Sequence, residues 1–185
     1  MSKRIFSLQD IPKYENIRAQ AAKYPELEPS SAAAFVLLLR VASDMLAATD
    51  EYLAQHQLSQ GRWIVMMLLY RAAGDGPGAT TRGTLNPCEL ASKAGVTRAT
   101  MTGLLDGLER SGHIERITVE QDRRMFDVSL TPQGKSFLEG VMPGYFRLVR
   151  KLMGGLSEDE REHLITLATK LGATAMIAGR GLKEK

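Results

Sequence analysis

Two groups of side chains near the middle of the chain have the chemistry to contact an anionic polymer. Hydroxyl and guanidinium groups donate hydrogen bonds to phosphates and base edges. A guanidinium held beside a carboxylate suits the narrow, negative minor groove of DNA. The first group begins a predicted helix and the second connects two predicted strands. The two groups together comprise seven residues: Thr97, Arg98, Thr100, Thr102, Asp122, Arg123 and Arg124.

The segment Leu85–Thr131 supplies the elements that must position these groups. Asn86 is a predicted N-cap, Gly95 ends a short helix, and Thr97 caps the next one. Alternating apolar residues and a charged connection then predict a hairpin. Its strands are Ile114–Val119 and Met125–Leu130. Two short helices followed by a hairpin predict a winged helix-turn-helix, in a mainly α fold with a small β wing (α+β).

Two glycines are predicted to lie on the outward side of the second helix. Gly103 and Gly107 are one helical turn apart, opposite an inward apolar row. Each costs about 1 kcal/mol of helix stability relative to alanine. One interpretation is a tolerated weak helix. The other is a low, smooth face that lets the helix backbone approach DNA closely.

Helices are predicted on both sides of this module. Residues 1–30 form an N-terminal arm with one short helix at Tyr14–Tyr24, and Pro25 and Pro29 separate it from a helix that Ser30 or Ser31 would cap. Helical regions are predicted at 31–57 and 135–178, the winged module at about 58–134, and a tail at 179–185. The Gly/Thr-rich loop 74–84 lacks the Gly-Lys-Ser/Thr ending of a nucleotide-binding loop.

Composition narrows the possible classes of protein. The net charge is +3, but acidic and basic residues are equal in number between Asn86 and Lys135, so bulk charge does not indicate DNA. A single cysteine, no run of about 18 apolar residues and no secretory signal predict a cytoplasmic protein without a membrane span. The spacing of His, Cys and acidic residues predicts no metal site, no cofactor and no enzyme activity.

The sequence resembles the MarR family of bacterial transcription regulators. The resemblance is carried by ELASKAGVTRATMTGLLDGLERSGHIER, then DRR, VSLTPQGK and LSEDER, and covers roughly residues 31–178. It implies a homodimer whose first and last helices intertwine and whose two winged modules contact a roughly palindromic double-stranded DNA operator. It places the seven residues named above on DNA, with the Arg124 guanidinium in the minor groove and Asp122 orienting it. Gly103 and Gly107 depart from the polar residues common there.

The same resemblance implies release of repression by a small aromatic or amphipathic ligand. The family's ligand crevice lies between the dimerisation helices and the winged module. Five residues are candidate liners by position: His56, Arg62, Trp63, Met66 and Tyr145. Packing in the core is the alternative for each of them, because aromatic and methionine residues at helical spacing usually face a core.

Two other functions remain open from the sequence. A winged module whose net charge is zero could be a protein-interaction module that does not bind DNA. A regulator could also sense oxidants through the thiol of Cys88, which lies in the first turn of a helix where thiolates are stabilised. An inert thiol is the alternative for Cys88, because the chain has no second cysteine.

Overall fold

The computed structural model describes residues 13–74, 77–119 and 122–181. Within these ranges, the side chains of 119, 122–125 and 176–181 are not described. The described elements are, in order, α1 (Tyr14–Ala21), α2 (Pro29–Gln55), α3 (Gln60–Ala72), α4 (Pro87–Ala94), α5 (Arg98–Arg110), β1 (Ile114–Val119), β2 (Asp122–Leu130), α6 (Pro132–Leu152) and α7 (Glu158–Gly181). The predicted fold class, mainly α with a small β wing, is confirmed.

The start of α2 differs from the prediction. The helix begins at Pro29, with Glu28 as its N-cap, and neither Ser30 nor Ser31 caps it. Proline is well tolerated at the first helical position, because the N–H that it lacks would have no partner there. The Ser31 hydroxyl instead donates to Glu28 Oε2 at 2.6 Å. The preceding helix also ends earlier than predicted, at Ala21.

The junction between α2 and α3 is tightly turned. Gln57 adopts a positive φ of 57°, a conformation that residues with a Cβ rarely adopt. Ser59 then caps α3 by accepting from the backbone N–H of Arg62 at 3.4 Å. As predicted from its apolar composition, α3 is central to the core. Its buried residues are Trp63, Val65, Met66, Leu69 and Ala72.

The helix-turn-helix forms as its capping residues predict. The Asn86 side chain accepts from the backbone N–H of Cys88 and Glu89, and the Glu89 carboxylate accepts from the Asn86 N–H, which completes a capping box. Gly95 ends α4 in the left-handed conformation, with φ 66°. Thr97 caps α5, its hydroxyl oxygen accepting from the backbone N–H of Thr100 at 3.1 Å.

The wing is an antiparallel hairpin of β1 and β2, and one residue before α4 forms a further bridge to β2. Ile114 pairs with Leu130, and the register shifts between Thr118 and Val119. Leu85 forms an isolated bridge to Val128, with N···O distances of 3.2 and 2.9 Å in the two directions. Strand β2 is longer than predicted, beginning at Asp122 rather than Met125. The bridge fastens the loop before α4 to the wing.

The chain divides into two compact units, Met1–Tyr145 and Phe146–Lys185. The core of the first unit is formed by α3, α4, α5 and the hairpin, together with the end of α2 and the start of α6. Its largest fully buried side chains are Leu53, Met66, Leu69, Leu90, Met101, Leu105, Leu108 and Leu138.

In the second unit, a capping box begins α7, with the Ser157 N–H donating to Glu160 Oε2 at 2.7 Å. Apolar residues of α7 are exposed: Leu164, Ile165, Leu167 and Leu171.

Helix α2 carries an exposed apolar surface over its first half. Phe35, Leu37, Leu38 and Val41 are between 42% and 61% exposed. By length and composition this helix could cross a membrane, with a mean hydropathy of 1.6 over 18 residues, of which 11% are buried within the chain. The sequence predicted no membrane span because it has no continuous apolar run of that length, and one helix of this composition is weak evidence against that prediction. Helices of soluble proteins pass it as well, so the surface has more than one explanation.

Candidate nucleic-acid interface

The start of α5 presents four exposed polar side chains. Thr97, Arg98, Thr100 and Thr102 are all exposed. The Thr97 and Thr100 hydroxyls are hydrogen-bonded to each other at 2.9 Å, and the Thr102 hydroxyl donates to the Arg98 carbonyl at 3.0 Å. The Thr97–Thr100 pair uses one hydroxyl hydrogen internally and leaves the other to donate outward. All four side chains are exposed and so are available for the predicted contacts, and contact with DNA itself stays a prediction.

Arg98 also contacts the preceding helix. Its Nη2 lies 3.6 Å from the Sγ of Cys88, and both side chains are exposed. Cys88 occupies the first turn of α4, where the Asn86 cap holds its backbone.

The two glycines of α5 have different surroundings. A Cβ added to Gly103 would have nothing within 4 Å, so this position is open, as predicted. Gly107 is buried, and the prediction that it lies on the outward face was wrong. A Cβ there would lie 2.8 Å from Cζ of Arg62, because that guanidinium packs directly on the helix backbone. The helical spacing placed Gly107 correctly on its side of the helix, but a neighbouring element covers that side.

Arg116 joins the wing to α5. This β1 residue forms ion pairs with Asp106 and, at 3.2 Å, with Glu109, both on α5. Its guanidinium also lies 4.9 Å from the ring centroid of Phe126 on β2. One side chain thus fixes the hairpin against the helix that carries Arg98. The sequence analysis missed this residue, although the three charges lie within 11 residues of one another.

The wing connection carries three of the predicted DNA contacts. The backbone of Asp122, Arg123 and Arg124 belongs to β2. Their side chains lie outside the described residues. The pairing of Asp122 with Arg124 therefore stays a prediction.

A buried carboxylate fastens the base of the wing. Asp127 is 7% exposed and accepts a hydrogen bond from the Thr84 hydroxyl at 2.7 Å. Arg82 pairs with the same carboxylate at 3.2 Å and with Glu89 at 3.6 Å. The end of the Gly/Thr-rich loop therefore connects β2 to α4. Sequence analysis assigned this loop no role.

A cavity of about 410 Å³ is lined by residues of α2, α3, α5 and α6 and of the turns that follow α2 and α5. Nine residues line it: Gln55, His56, Gln57, Leu58, Arg62, Leu108, Ser111, His113 and Phe137. Of the five predicted ligand-binding residues, His56 and Arg62 line this cavity. Trp63 and Met66 are instead 5% and 0% exposed in the core, and this is the alternative that the sequence left open for them.

Tyr145 belongs to a row of aromatic rings beside the core. Its ring centroid lies 4.5 Å from that of Trp63 and 6.2 Å from that of Tyr52, which is 4.9 Å from His56. The Tyr52 hydroxyl donates to the Val141 carbonyl at 2.9 Å, in a space that a side chain at Gly144 would fill. Tyr145 therefore packs on the core rather than lining the cavity.

His113 forms one wall of the cavity. Its Nδ1 lies 2.9 Å from Ser111 Oγ, and its ring stacks on Phe137 with centroids 4.4 Å apart. Burial lowers the pKa of His113, and the positive charge of Arg62 lowers it further. The imidazole is therefore more readily neutral than an exposed histidine.

Comparison with known proteins identifies the family. The MarR family model matches residues 79–126, from the loop before α4 into β2. The chain is 33% identical over 160 residues to the HTH-type transcriptional repressor YetL of Bacillus subtilis, covering 86% of this chain and 91% of YetL. The chain belongs to the MarR family. The resemblance noted in the sequence is confirmed.

Structures of MarR-family proteins share the fold. Wild-type apo MarR from E. coli is 25% identical with a TM-score of 0.59, over 73% of this chain and 93% of that one. A mutant E. coli MarR in complex with operator DNA has a TM-score of 0.65 at 23% identity, over 82% and 96% of the two chains. As a MarR-family member this protein is a helix-turn-helix transcriptional regulator, and the family is one of regulators rather than enzymes.

Proposed function

We propose that this MarR-family protein is a repressor that binds a roughly palindromic double-stranded DNA operator as a homodimer. Its main support is the exposed start of α5, where the side chains of Arg98 and three threonines are all open to solvent. A helix of this kind places its first turns in a major groove. Arg116 holds the hairpin beside that helix, so that the predicted wing pair Asp122 and Arg124 would reach an adjoining minor groove.

Homodimerisation is supported by the exposed apolar side chains of α2. An exposed apolar patch of this kind usually marks an interface. A second copy of the chain would cover it, and a pair of winged modules would match the symmetry of a palindrome. Phe35 and Leu38 are the residues to test, at 61% and 49% exposure. A protein acting on chromosomal DNA in this way would work in the bacterial cytoplasm.

Control by a small molecule is supported by the cavity beside α5. Its volume lies in the range typical of small-molecule sites, and it contains both apolar walls and convergent polar groups. A structure of Bordetella bronchiseptica BpsR concerns regulation of DNA binding by 6-hydroxynicotinic acid, with a TM-score of 0.62 at 21% identity over 74% and 90% of the two chains. An effector in this cavity would contact the end of α5 and the start of β1.

A thiol-based response is a second candidate. The contact of Arg98 Nη2 with Cys88 Sγ favours it, since modification of the thiol would displace a predicted DNA-binding side chain. Alkylation of the protein with N-ethylmaleimide should weaken DNA binding, and the Cys88→Ser variant should resist the reagent while binding DNA. Equal DNA affinity before and after alkylation would exclude this candidate.

Footprinting on the DNA upstream of the protein's own gene tests the main proposal. We expect a protected site with approximate two-fold symmetry, whose affinity falls as salt rises. Arg98→Ala should abolish or strongly weaken protection, whereas Lys93→Ala, an exposed change on α4, should have a smaller effect. Absence of any protected site at low salt would instead favour a protein-interaction module. Sedimentation of a Leu38→Glu variant tests the dimer, which we expect to dissociate.

A further inference from the structure

A buried polar contact lies at the root of the wing. Asp127 of β2 is 7% exposed and Thr84 is 9% exposed, and the Thr84 hydroxyl donates to Asp127 Oδ2 at 2.7 Å. The Arg82 guanidinium lies 3.2 Å from the same oxygen. Strand residues rise about 3.3 Å each, so Asp127 lies about 10 Å along β2 from Arg124, which is predicted to enter the minor groove.

Arg82 extends this contact to the helix-turn-helix. Its Nη2 lies 3.6 Å from Glu89 Oε1, while Glu89 Oε2 accepts from the Asn86 N–H at 2.9 Å in the cap of α4. One guanidinium therefore faces two carboxylates, one on β2 and one in the first turn of α4. We call the group Arg82, Thr84, Glu89 and Asp127 the wing brace.

The loop before α4 presents two members of the wing brace to the same carboxylate. Gly83 lies between Arg82 and Thr84 and has a φ of 67°, a conformation that residues with a Cβ rarely adopt. The Thr80 hydroxyl donates to the Thr84 carbonyl at 3.1 Å. The Thr80 N–H donates to the Ala72 carbonyl at the end of α3 at 2.9 Å. The loop is thus held to the core on one side and to the wing on the other.

Stability alone does not account for a polar contact at this place. Removing a carboxylate from water costs free energy that its partners only offset, and apolar residues of similar volume often stabilise a buried site equally well. Hydrogen bonds and ion pairs add direction, because they form in few relative positions of their partners. The wing brace attaches β2 to α4, and Arg116 attaches β1 to α5. Attachments on both strands hold a hairpin at one angle.

We propose that Asp127, held by Thr84 and Arg82, is a positioning residue that sets the angle of the wing relative to α4 and so places Arg124 in the minor groove of the operator. This rests on the proposed function, DNA binding through α5 and the wing. It adds a residue that touches no DNA and yet decides whether the wing reaches it. Loss of the wing brace should therefore remove the contacts of the wing and spare those of α5.

The first experiment measures the angle of the wing without DNA. Residual dipolar couplings of the backbone amides of the full chain report the orientation of β2 relative to α4 and α5. Arg82→Gln removes a half-exposed guanidinium from both carboxylates. The couplings of β2 should then change, while those of α4 and α5 should still fit one common orientation. Couplings of β2 that are the same in the wild type and Arg82→Gln would overturn the proposal.

Arg71→Gln is the matched control for this measurement. It makes the same substitution at the other end of the same loop, where the Arg71 Nη2 donates to the Pro77 carbonyl at 3.1 Å. Because both variants lose one positive charge, any general effect of charge is the same in the two. The couplings of β2 should be unaltered in Arg71→Gln. An equal change in the two variants would overturn the assignment to the wing brace.

The second experiment separates the contacts of the wing from those of α5. Hydroxyl radicals attack sugars that line the minor groove, whereas dimethyl sulfate methylates guanine N7 in the major groove. On the DNA upstream of the protein's own gene, Arg82→Gln should lose minor-groove protection, keep major-groove protection at saturating protein, and bind several-fold more weakly. Minor-groove protection that persists, or protection that is lost equally in both grooves, would overturn the proposal.

Asp127→Asn tests the carboxylate itself. The amide keeps an oxygen for the Thr84 hydroxyl and loses the charge opposite Arg82, so the same loss of minor-groove protection is expected. If this buried substitution prevents folding, Arg82→Gln carries the test alone. A wild type that protects no DNA would overturn the proposed function, while the dipolar couplings would still decide whether the wing brace sets the angle. A chain that binds DNA and keeps minor-groove protection in both variants would lose only this inference.

Discussion

The two halves of α5 are built for different tasks. The first half presents Arg98 and three threonine hydroxyls to solvent, and Gly103 adds open space beside them. The second half is covered, with Arg62 packed on Gly107 and with Arg116 of the wing paired to Asp106 and Glu109. The exposed half supplies the proposed DNA contacts. The covered half, held by Arg62 and Arg116, determines how the exposed half is oriented. Changes in the two halves should therefore separate DNA affinity from stability.

The largest expected effect on stability comes from the covered half. Leu108 is fully buried near the end of α5, and Leu108→Ala should lower the free energy of unfolding by about 2–5 kcal/mol. Thr102→Ala, in the exposed half, should change it by less than about 0.5 kcal/mol. Urea unfolding followed by circular dichroism measures both. Similar losses in the two variants would contradict the burial of Leu108 and the exposure of Thr102.

The largest expected effect on DNA binding comes from the exposed half. Arg98→Ala should cost about 1–3 kcal/mol of binding free energy if its guanidinium contacts a base edge. The free energy of unfolding should hardly change, because the side chain is exposed and its one described contact beyond its own helix is with Cys88. Fluorescence anisotropy with operator DNA at several salt concentrations gives the affinity. An unchanged affinity would remove Arg98 from the interface.

Substitution of Arg116 should have an intermediate effect on DNA binding. This residue links α5 to the wing hairpin and is not itself predicted to contact DNA. Its ion pairs are partly exposed, so Arg116→Gln should lower the free energy of unfolding by less than about 1 kcal/mol. DNA binding should nevertheless weaken several-fold, because the hairpin loses its attachment to α5. Glu115→Gln on the same strand, whose carboxylate accepts from Ser129, is a suitable control. A variant that loses stability and keeps full DNA affinity would show that the attachment does not position the wing.

The sequence did not predict the contacts that hold α5 in position, although it predicted the helix itself. Capping residues act within one turn of chain, so Asn86, Gly95 and Thr97 allowed both helices of the helix-turn-helix to be predicted closely. The alternation in β2 likewise predicted its second half. These signals are local, and each depends on residues a few positions apart.

The wrong placement of Gly107 and the missed Arg82–Asp127 pair came from contacts distant in sequence. Helical spacing places Gly107 on one side of α5, but whether that side meets solvent depends on Arg62, 45 residues earlier. The Arg82–Asp127 pair spans a similar separation. Trp63 and Met66 had the residue types of a ligand site and the spacing of a core, and the packing of α3 placed them in the core. Local patterns do not contain such information.

The smallest expected effect is the pH dependence contributed by His113, at the covered end of α5. Because burial and Arg62 lower its folded-state pKa, the unfolded chain binds more protons in mildly acidic solution. The free energy of unfolding is therefore greatest above the unfolded pKa of about 6.5. It decreases as the pH falls from that value toward the lower pKa of the folded state. His113→Gln should flatten the dependence of the free energy of unfolding on pH between about 5 and 7. An equal slope in the wild type and His113→Gln would show that folding does not lower the pKa of this imidazole.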